Sequence, residues 1–365
     1  MAHVVTMKMI AERAGCSISS VSRLLRGERA DCYSADMKER IWRVAHELGW
    51  RPNLLVSGLR HKKTNTVGVL IPPYDPHWSQ VMLAVHDTLI TAGYVSMMIW
   101  PMRGGIRELQ VPEKLKNTEI DLIRSAPRDE YELLCCFIDR RVDGLITAPL
   151  HEKKSREYLL SLTDKEWPVV VIEQEFPERT NPLSIVYDEN QMMRLAIKHL
   201  IQQKHRQILY VGRREKLGWV LHREEAFRKN AVSLKCVPYE IQVDPWGDEI
   251  PQSIITALQK NPEITAVIAE NDTFAVRAIR GAEAAGRIIP RDLNVIGFGN
   301  MSSRWAVHGL TSIDQQPLET GRIAAEHFLG MIEGKKYKSP VTVKGQLIIR
   351  GSTVAESPGN THHFV

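Results

Sequence analysis

The 365-residue sequence predicts an all-α head followed by an α/β body of two doubly wound, parallel-sheet lobes. Three observations lead there. Short amphipathic helical patterns fill the first fifty residues, apolar strands alternate with helices from residue 66, and that alternation runs through a second set after residue 200. The expected division is a head over 1–50, a linking helix and linker over 51–63, and the body over 64–365.

In the head, Thr6 is placed to cap a first helix whose apolar positions Met9, Ile10 and Ala14 share a face. Gly15 follows where the chain must turn sharply, which suits a residue that tolerates positive φ. Ser17 caps a second helix with Val21, Leu24 and Leu25 facing inward, and Ala11 is small enough for the two helices to approach closely. A third helix, capped by Ser34, carries Met37, Ile41, Val44, Ala45 and Leu48 and closes a small core. This spacing is that of a helix-turn-helix, whose second helix is presented to the major groove of DNA. Its outward face offers Ile18, Ser19, Ser22 and Arg23, and arginine reads guanine through paired hydrogen bonds.

Charge placement agrees. Residues 1–63 hold twelve Lys/Arg against six Asp/Glu, whereas the remaining 36 basic and 37 acidic residues nearly cancel. The excess positive charge therefore belongs to the part expected to meet phosphates.

In the body, candidate strands are Thr66–Ile71, Val95–Trp100, Val142–Thr147 and Pro168–Ile172, then Gln207–Val211, Val237–Val243, Thr265–Ala269 and Leu293–Phe298. Helical stretches lie between them, for example at 78–92, 130–140, 190–203, 249–260 and 272–286. Such alternation implies parallel sheets with helices on both faces, and ligands of such sheets bind beyond the carboxyl ends of the strands, here in a cleft between lobes.

From Thr6 to Arg60 the sequence resembles the lactose-repressor (LacI) family. Val21-Ser22-Arg23 matches its recognition helix, and Leu48-Gly49-Trp50-Arg51-Pro52-Asn53 matches the lead into its hinge helix. The resemblance implies that Thr6, Ser17, Ile18, Ser19, Ser22, Arg23, Asn53, Leu59 and Arg60 contact DNA, with Leu59 as a wedge between base pairs of the minor groove. Gly58 weakens the propensity of that hinge helix, and Val56 stands where the family usually has alanine. The body resembles the same family, and with it the periplasmic sugar-binding proteins, through Thr66-Val-Gly-Val-Leu-Ile-Pro, Arg141-Val-Asp-Gly-Leu-Ile, Pro168-Val-Val-Val-Ile, Glu270-Asn-Asp, Val295-Ile-Gly-Phe, Leu310-Thr-Ser-Ile and Leu347-Ile-Ile-Arg-Gly-Ser-Thr.

That resemblance places Trp78, Glu173, Arg223, Trp246 and Asn271 around a small-molecule effector, a sugar or sugar acid. Gly297-Phe298-Gly299-Asn300 lacks the aspartate that family members carry after this strand, so the pocket is expected to favour an acidic ligand with Arg223 as its main partner. The polar stretch 103–128 is longer than the family's usual connection. A homodimer on a pseudo-palindromic operator is expected, repressing carbohydrate-related genes. The alternative kept open is an activator, or a regulator that answers a non-sugar metabolite. The tail 355–365 has no apolar heptads, which argues against a coiled-coil tetramer.

Other classes fit less well. Hydrophobic residues make up 43% and charged ones 25%, the balance of a soluble globular protein. No apolar run of about 18 residues offers a membrane span, and no secretory signal is recognisable at the start. Cysteines 16, 32, 135, 136 and 236 form no CxxC pair and no ligand spacing with histidine, so a cytoplasmic protein without zinc or cofactor is expected. The stretch around Gly297 lacks the third glycine of a dinucleotide loop, and Gly330-Met-Ile-Glu-Gly334-Lys335 is one residue short of a phosphate loop. No enzyme is expected. A secreted solute-binding protein would not carry the DNA-binding head.

Overall fold

The computed structural model describes residues 5–25, 32–50, 63–73, 76–100, 129–177, 179–215, 218–244, 249–300 and 309–354. The chain divides into two compact units, Met1–Thr64 and Asn65–Val365.

In the first unit, α1 spans Met7–Ala14, α2 Ile18–Leu25 and α3 Ala35–Glu47. Thr6 Oγ1 accepts the N–H of Met9 and Ser34 Oγ that of Met37, so the first and third helices begin on a hydroxyl cap. Ser17 caps α2 in the same way, accepting the N–H of Ser20 at 3.1 Å. Gly15 ends α1 in the left-handed region at φ 63°, donating to the Ala11 carbonyl and leaving a turn of three residues before α2. The core is Ile10, Ala11, Ala14, Val21, Leu24, Leu25, Ile41, Val44 and Ala45. Ile10, Val21 and Ile41 are fully buried, each stabilising the unit by about 1.5–3 kcal/mol. Met9, expected inside, is exposed.

The second unit holds two six-stranded sheets. β1 Thr66–Leu70, β2 Val95–Met98, β3 Leu145–Thr147, β4 Val169–Ile172, β5 Leu183–Tyr187 and β11 Val341–Val343 form the first, in the order β11-β5-β4-β3-β1-β2, all parallel. β6 Gln207–Arg213, β7 Val237–Val243, β8 Ala266–Ala269, β9 Asn294–Phe298, β10 Thr311–Asp314 and β12 Gln346–Ile348 form the second, in the order β12-β10-β9-β8-β6-β7, where only β12 runs antiparallel. Inner strands such as β4 and β8 are buried at every position, as expected when helices cover both faces. The strand expected over 142–147 starts only at Leu145. β5 is not among the expected strands; Ser184 interrupts its short apolar run.

Helices α4 Pro76–Thr91, α5 Glu130–Asp139 and α6 Lys153–Thr163 belong to the first lobe. In the second lobe lie α7 Glu189–Gln202, α8 Gly218–Ser233, α9 Ile250–Lys260 and α10 Asp272–Ala284. The chain then returns to the first lobe through α11 Pro317–Ile332, which packs along α4. Among the described residues it therefore passes between lobes three times: after β5, after β10 and between β11 and β12. One apolar cluster runs from Val85 and Phe328 through Met192 and Ile197 to Tyr210, Phe227 and Ile296, so the core is continuous from lobe to lobe.

Candidate functional site

Two surfaces carry the expected chemistry. On the head, the turn before α2 and the burial of Val21, Leu24 and Leu25 force the other side of this helix outward. Ile18 is 50% exposed, Ser19 and Arg23 are exposed, and Ser22 is half-buried. Arg23 is the one charged side chain on α2. Ser17 is committed to its cap and to hydroxyl contacts with Ser19 and Ser20 at 2.8 and 2.9 Å, and Thr6 to its own cap. Asn53, Leu59 and Arg60, with Val56 and Gly58, lie outside the described residues.

The second surface lies in the body, where the carboxyl ends of the strands deliver polar side chains. Glu173 follows β4 at φ 62°, a left-handed conformation that is costly for glutamate and is held by its N–H donating to the Ile185 carbonyl at 2.7 Å. Its carboxylate reaches His77 Nε2 at 3.4 Å, and the same nitrogen is 3.2 Å from the Tyr187 hydroxyl. Burial, and then the negative charge of Glu173, push the Tyr187 phenol well above its ordinary pKa. Trp78 meets the His77 ring edge to face, with ring centres 5.4 Å apart. A carboxylate carried on a left-handed backbone, an imidazole, a phenol and an indole thus converge from the end of β4, α4 and β5.

Across from them stands Arg223, on α8 and buried. It donates from Nε and Nη2 to the two carboxylate oxygens of Glu189 at 2.8 and 2.7 Å, and from Nη1 to the Glu270 carbonyl at 2.7 Å. Burial opposes its charge, but the Glu189 carboxylate outweighs that and raises its pKa above the ordinary value. The guanidinium lies 4.5 Å from the Phe298 ring centre and 5.3 Å from that of Trp219. Arg213 approaches the Trp219 ring at 4.8 Å and pairs with the buried Glu270 carboxylate.

This arrangement corrects the electrostatic expectation. Arg223 does not carry a free positive charge into the pocket, because Glu189 neutralises it, and Arg213 is matched by Glu270. Asn271 follows β8 as expected, but its Oδ1 accepts the N–H of Phe274 at 2.9 Å and caps α10. Trp246 and the stretch 103–128 lie outside the described residues, as does the tail 355–365. A cavity of about 410 Å³ opens beside the pair, between the β5–α7 junction, α8 and β11, with Tyr187 and Glu189 on its wall.

Sequence reasoning overlooked Glu189, Trp219, His77 and Tyr187. Trp219 had a usable signal, since it precedes Arg223 by four residues and so shares its helix face. Glu189 had none: the helix expected over 190–203 puts it at a helix start, but nothing along the chain pairs it with Arg223, 34 residues away on another helix.

Comparison with known proteins decides the family. A family model for bacterial regulatory proteins of the lacI family matches residues 6–53, and one for a periplasmic binding protein-like domain matches residues 197–353. The chain belongs to the LacI family. Among its relatives is the HTH-type transcriptional repressor PurR of Aliivibrio fischeri, 25% identical over 360 residues, which cover 96% of this chain and 98% of PurR. The ribose operon repressor of Halalkalibacterium halodurans is 24% identical, with 95% and 97% covered. The crystal structure of the Lac repressor dimer bound to operator and an anti-inducer shares the fold, with a TM-score of 0.77 at 22% identity, covering 96% of this chain and 100% of that one. As a LacI-family protein, the chain is a DNA-binding transcriptional regulator rather than an enzyme. Among the described residues, no helix is long and apolar enough to cross a membrane.

Proposed function

We propose that this LacI-family regulator is an effector-responsive repressor acting in the cytoplasm, that it binds a pseudo-palindromic operator as a homodimer, and that its effector is a neutral, hydroxyl-rich sugar or glycoside. In this reading the head over 1–50 reads bases, the segment 51–63 is the hinge that brings Leu59 to the minor groove, and the body over 64–365 senses the effector and dimerises. The observation that carries the DNA-binding half is the outward face of α2, where Arg23 and Ile18 stand exposed beside Ser19. A guanidinium can bond guanine in two places, an apolar side chain can cover a thymine methyl, and the hydroxyl bonds either kind of base.

The effector class rests on the Arg223–Glu189 pair. A bound acid would either displace Glu189, leaving that carboxylate buried without a partner, or accept the remaining guanidinium hydrogens and be repelled by the Glu189 carboxylate beside it, and both are costly. Hydroxyl groups can instead accept from the remaining guanidinium hydrogens and donate to Glu173 or Glu189, while Trp78 and Trp219 offer flat faces to a sugar ring. The ribose operon repressor among the relatives fits this class.

Selection of binding sites from random DNA tests the first half. Enrichment of an inverted repeat, bound by two chains, is expected; enrichment of a single unrepeated site, or of nothing, would refute it. A thermal-shift screen of neutral sugars beside their uronic acids and phosphates tests the second. Stabilisation by an acid alone would replace the neutral effector with an acidic one.

A further inference from the structure

The three passages between lobes are joined to one another by side-chain hydrogen bonds. Gln191, in the first turn of α7, donates to the Gly345 carbonyl at 3.0 Å and accepts its N–H at 3.1 Å, tying the first passage to the third. Gln316, in the second passage, donates from Nε2 to the Lys344 carbonyl. Asp314, the last residue of β10, accepts the Gln316 N–H at 2.7 Å on one oxygen. Its other oxygen accepts Asn300 Nδ2 at 3.0 Å.

Asn300 extends this network to the effector side. It lies two residues after Phe298, whose ring supports Arg223, and adopts φ 52°, a left-handed conformation that asparagine tolerates. Its N–H donates to Ser312 Oγ at 2.9 Å. Its Oδ1 accepts Arg350 Nη2 at 2.7 Å, and Arg350 also donates to the Leu310 carbonyl at 2.8 Å. Both ends of the amide are therefore in use, one as donor and one as acceptor. Aspartate at 300 could serve Arg350 but could not donate to Asp314, and it would set two carboxylates against each other.

We propose that Asn300 and Asp314 are positioning residues that fix the angle between the lobes, linking the strand end under Arg223 to all three passages. Neither need touch the effector. The consequence for DNA affinity rests on the regulatory reading above; the consequence for lobe geometry does not.

The test uses the full-length chain with a donor and an acceptor fluorophore on noncanonical residues at exposed Lys153 and Lys260, one in each lobe. Single-molecule energy transfer is read for the parent, for Asn300→Asp, for Asn300→Ser, and for the exchange Asn300→Asp with Asp314→Asn. The exchange restores a donor opposite an acceptor with the roles reversed. A broadened or shifted distance is expected for either single variant, with return to the parental distance in the exchange variant. Affinity for the DNA fragment enriched by selection should change about tenfold in step, the scale of ordinary coupling between sites.

Asn300→Ser removes the amide contacts without adding charge, and decides the question if Asn300→Asp does not fold. Parental distances in a folded single variant, or a folded exchange variant that stays broadened, would overturn the proposal. If the distances respond and the DNA affinity does not, the lobe geometry stands and the regulatory reading fails.

Discussion

Arg223 and Glu189 form a two-pronged ion pair at 2.8 and 2.7 Å that fastens α8 to the first turn of α7. Both side chains are nearly excluded from water, at 4% and 10% exposure, so each charge depends on the other. Glu189→Ala is expected to destabilise the body by about 3–5 kcal/mol, because it leaves a buried guanidinium without its carboxylate. The double variant Glu189→Leu with Arg223→Met should cost much less, since neither charge then remains. Urea denaturation of the parent and both variants checks this, and equal losses in the single and double variants would show that the pair is not the source.

Arg23→Ala is expected to lose about 1–3 kcal/mol on the selected operator and far less on scrambled DNA, because base discrimination falls to the one charged side chain on α2. Titrations on both DNAs at a single salt concentration measure it. Equal losses would assign Arg23 to the phosphates.

Leu59→Ala should reduce both operator bending and operator affinity while leaving the body folded. Leu59 is outside the described residues, and the expectation comes from its match to the family's wedge position. Bend angle and affinity can be read from the same fluorescence experiment, and an unchanged bend would remove the wedge role.

The body should lose stability in mild acid. His199 is buried, with Nε2 2.8 Å from Thr353 Oγ1, and burial lowers its pKa below the ordinary 6.5. His205 is lowered in the same way, by burial and then by His199. A lowered pKa means that the unfolded chain takes up these protons first. Stability is therefore full above about pH 6.5 and falls as the pH drops toward the folded-state values. Melting temperature measured from pH 7.5 to 5 should show the decline, and His199→Gln should flatten it.

What can be read in the sequence depends on whether a signal is local. Thr6, Gly15, Ser17 and Ser34 take the cap and turn positions expected of them, because capping is decided within four residues. The apolar runs at β1, β4, β8 and β9 fall close to their places for a similar reason: a strand covered on both faces is apolar along nearly its whole length. The pocket is harder. Arg223 is picked out of the sequence by the family resemblance alone, whereas its partner Glu189 comes from another element brought beside it only by the fold. Asn271 draws notice for its amide, but the first turn of α10 takes its oxygen. The charge balance of a pocket depends on such pairings, and spacing along the chain does not reveal them.

The packing of α11 on α4 also has a temporal side. The helices meet at Gly321, where a methyl group would strike the Val81 carbonyl and the Ala84 side chain, so their fit is close and tolerates no added bulk. During synthesis β1 to β5 leave the ribosome early, yet α11 and β11 arrive only after nearly all of the second lobe has been made. Until then the apolar side of α4, with Val81 and Val85, lacks its cover, and β5 stands as an open edge. The lobe translated first is completed only after nearly all of the other has been made, which makes the nascent chain's period of greatest exposure coincide with translation of the second lobe.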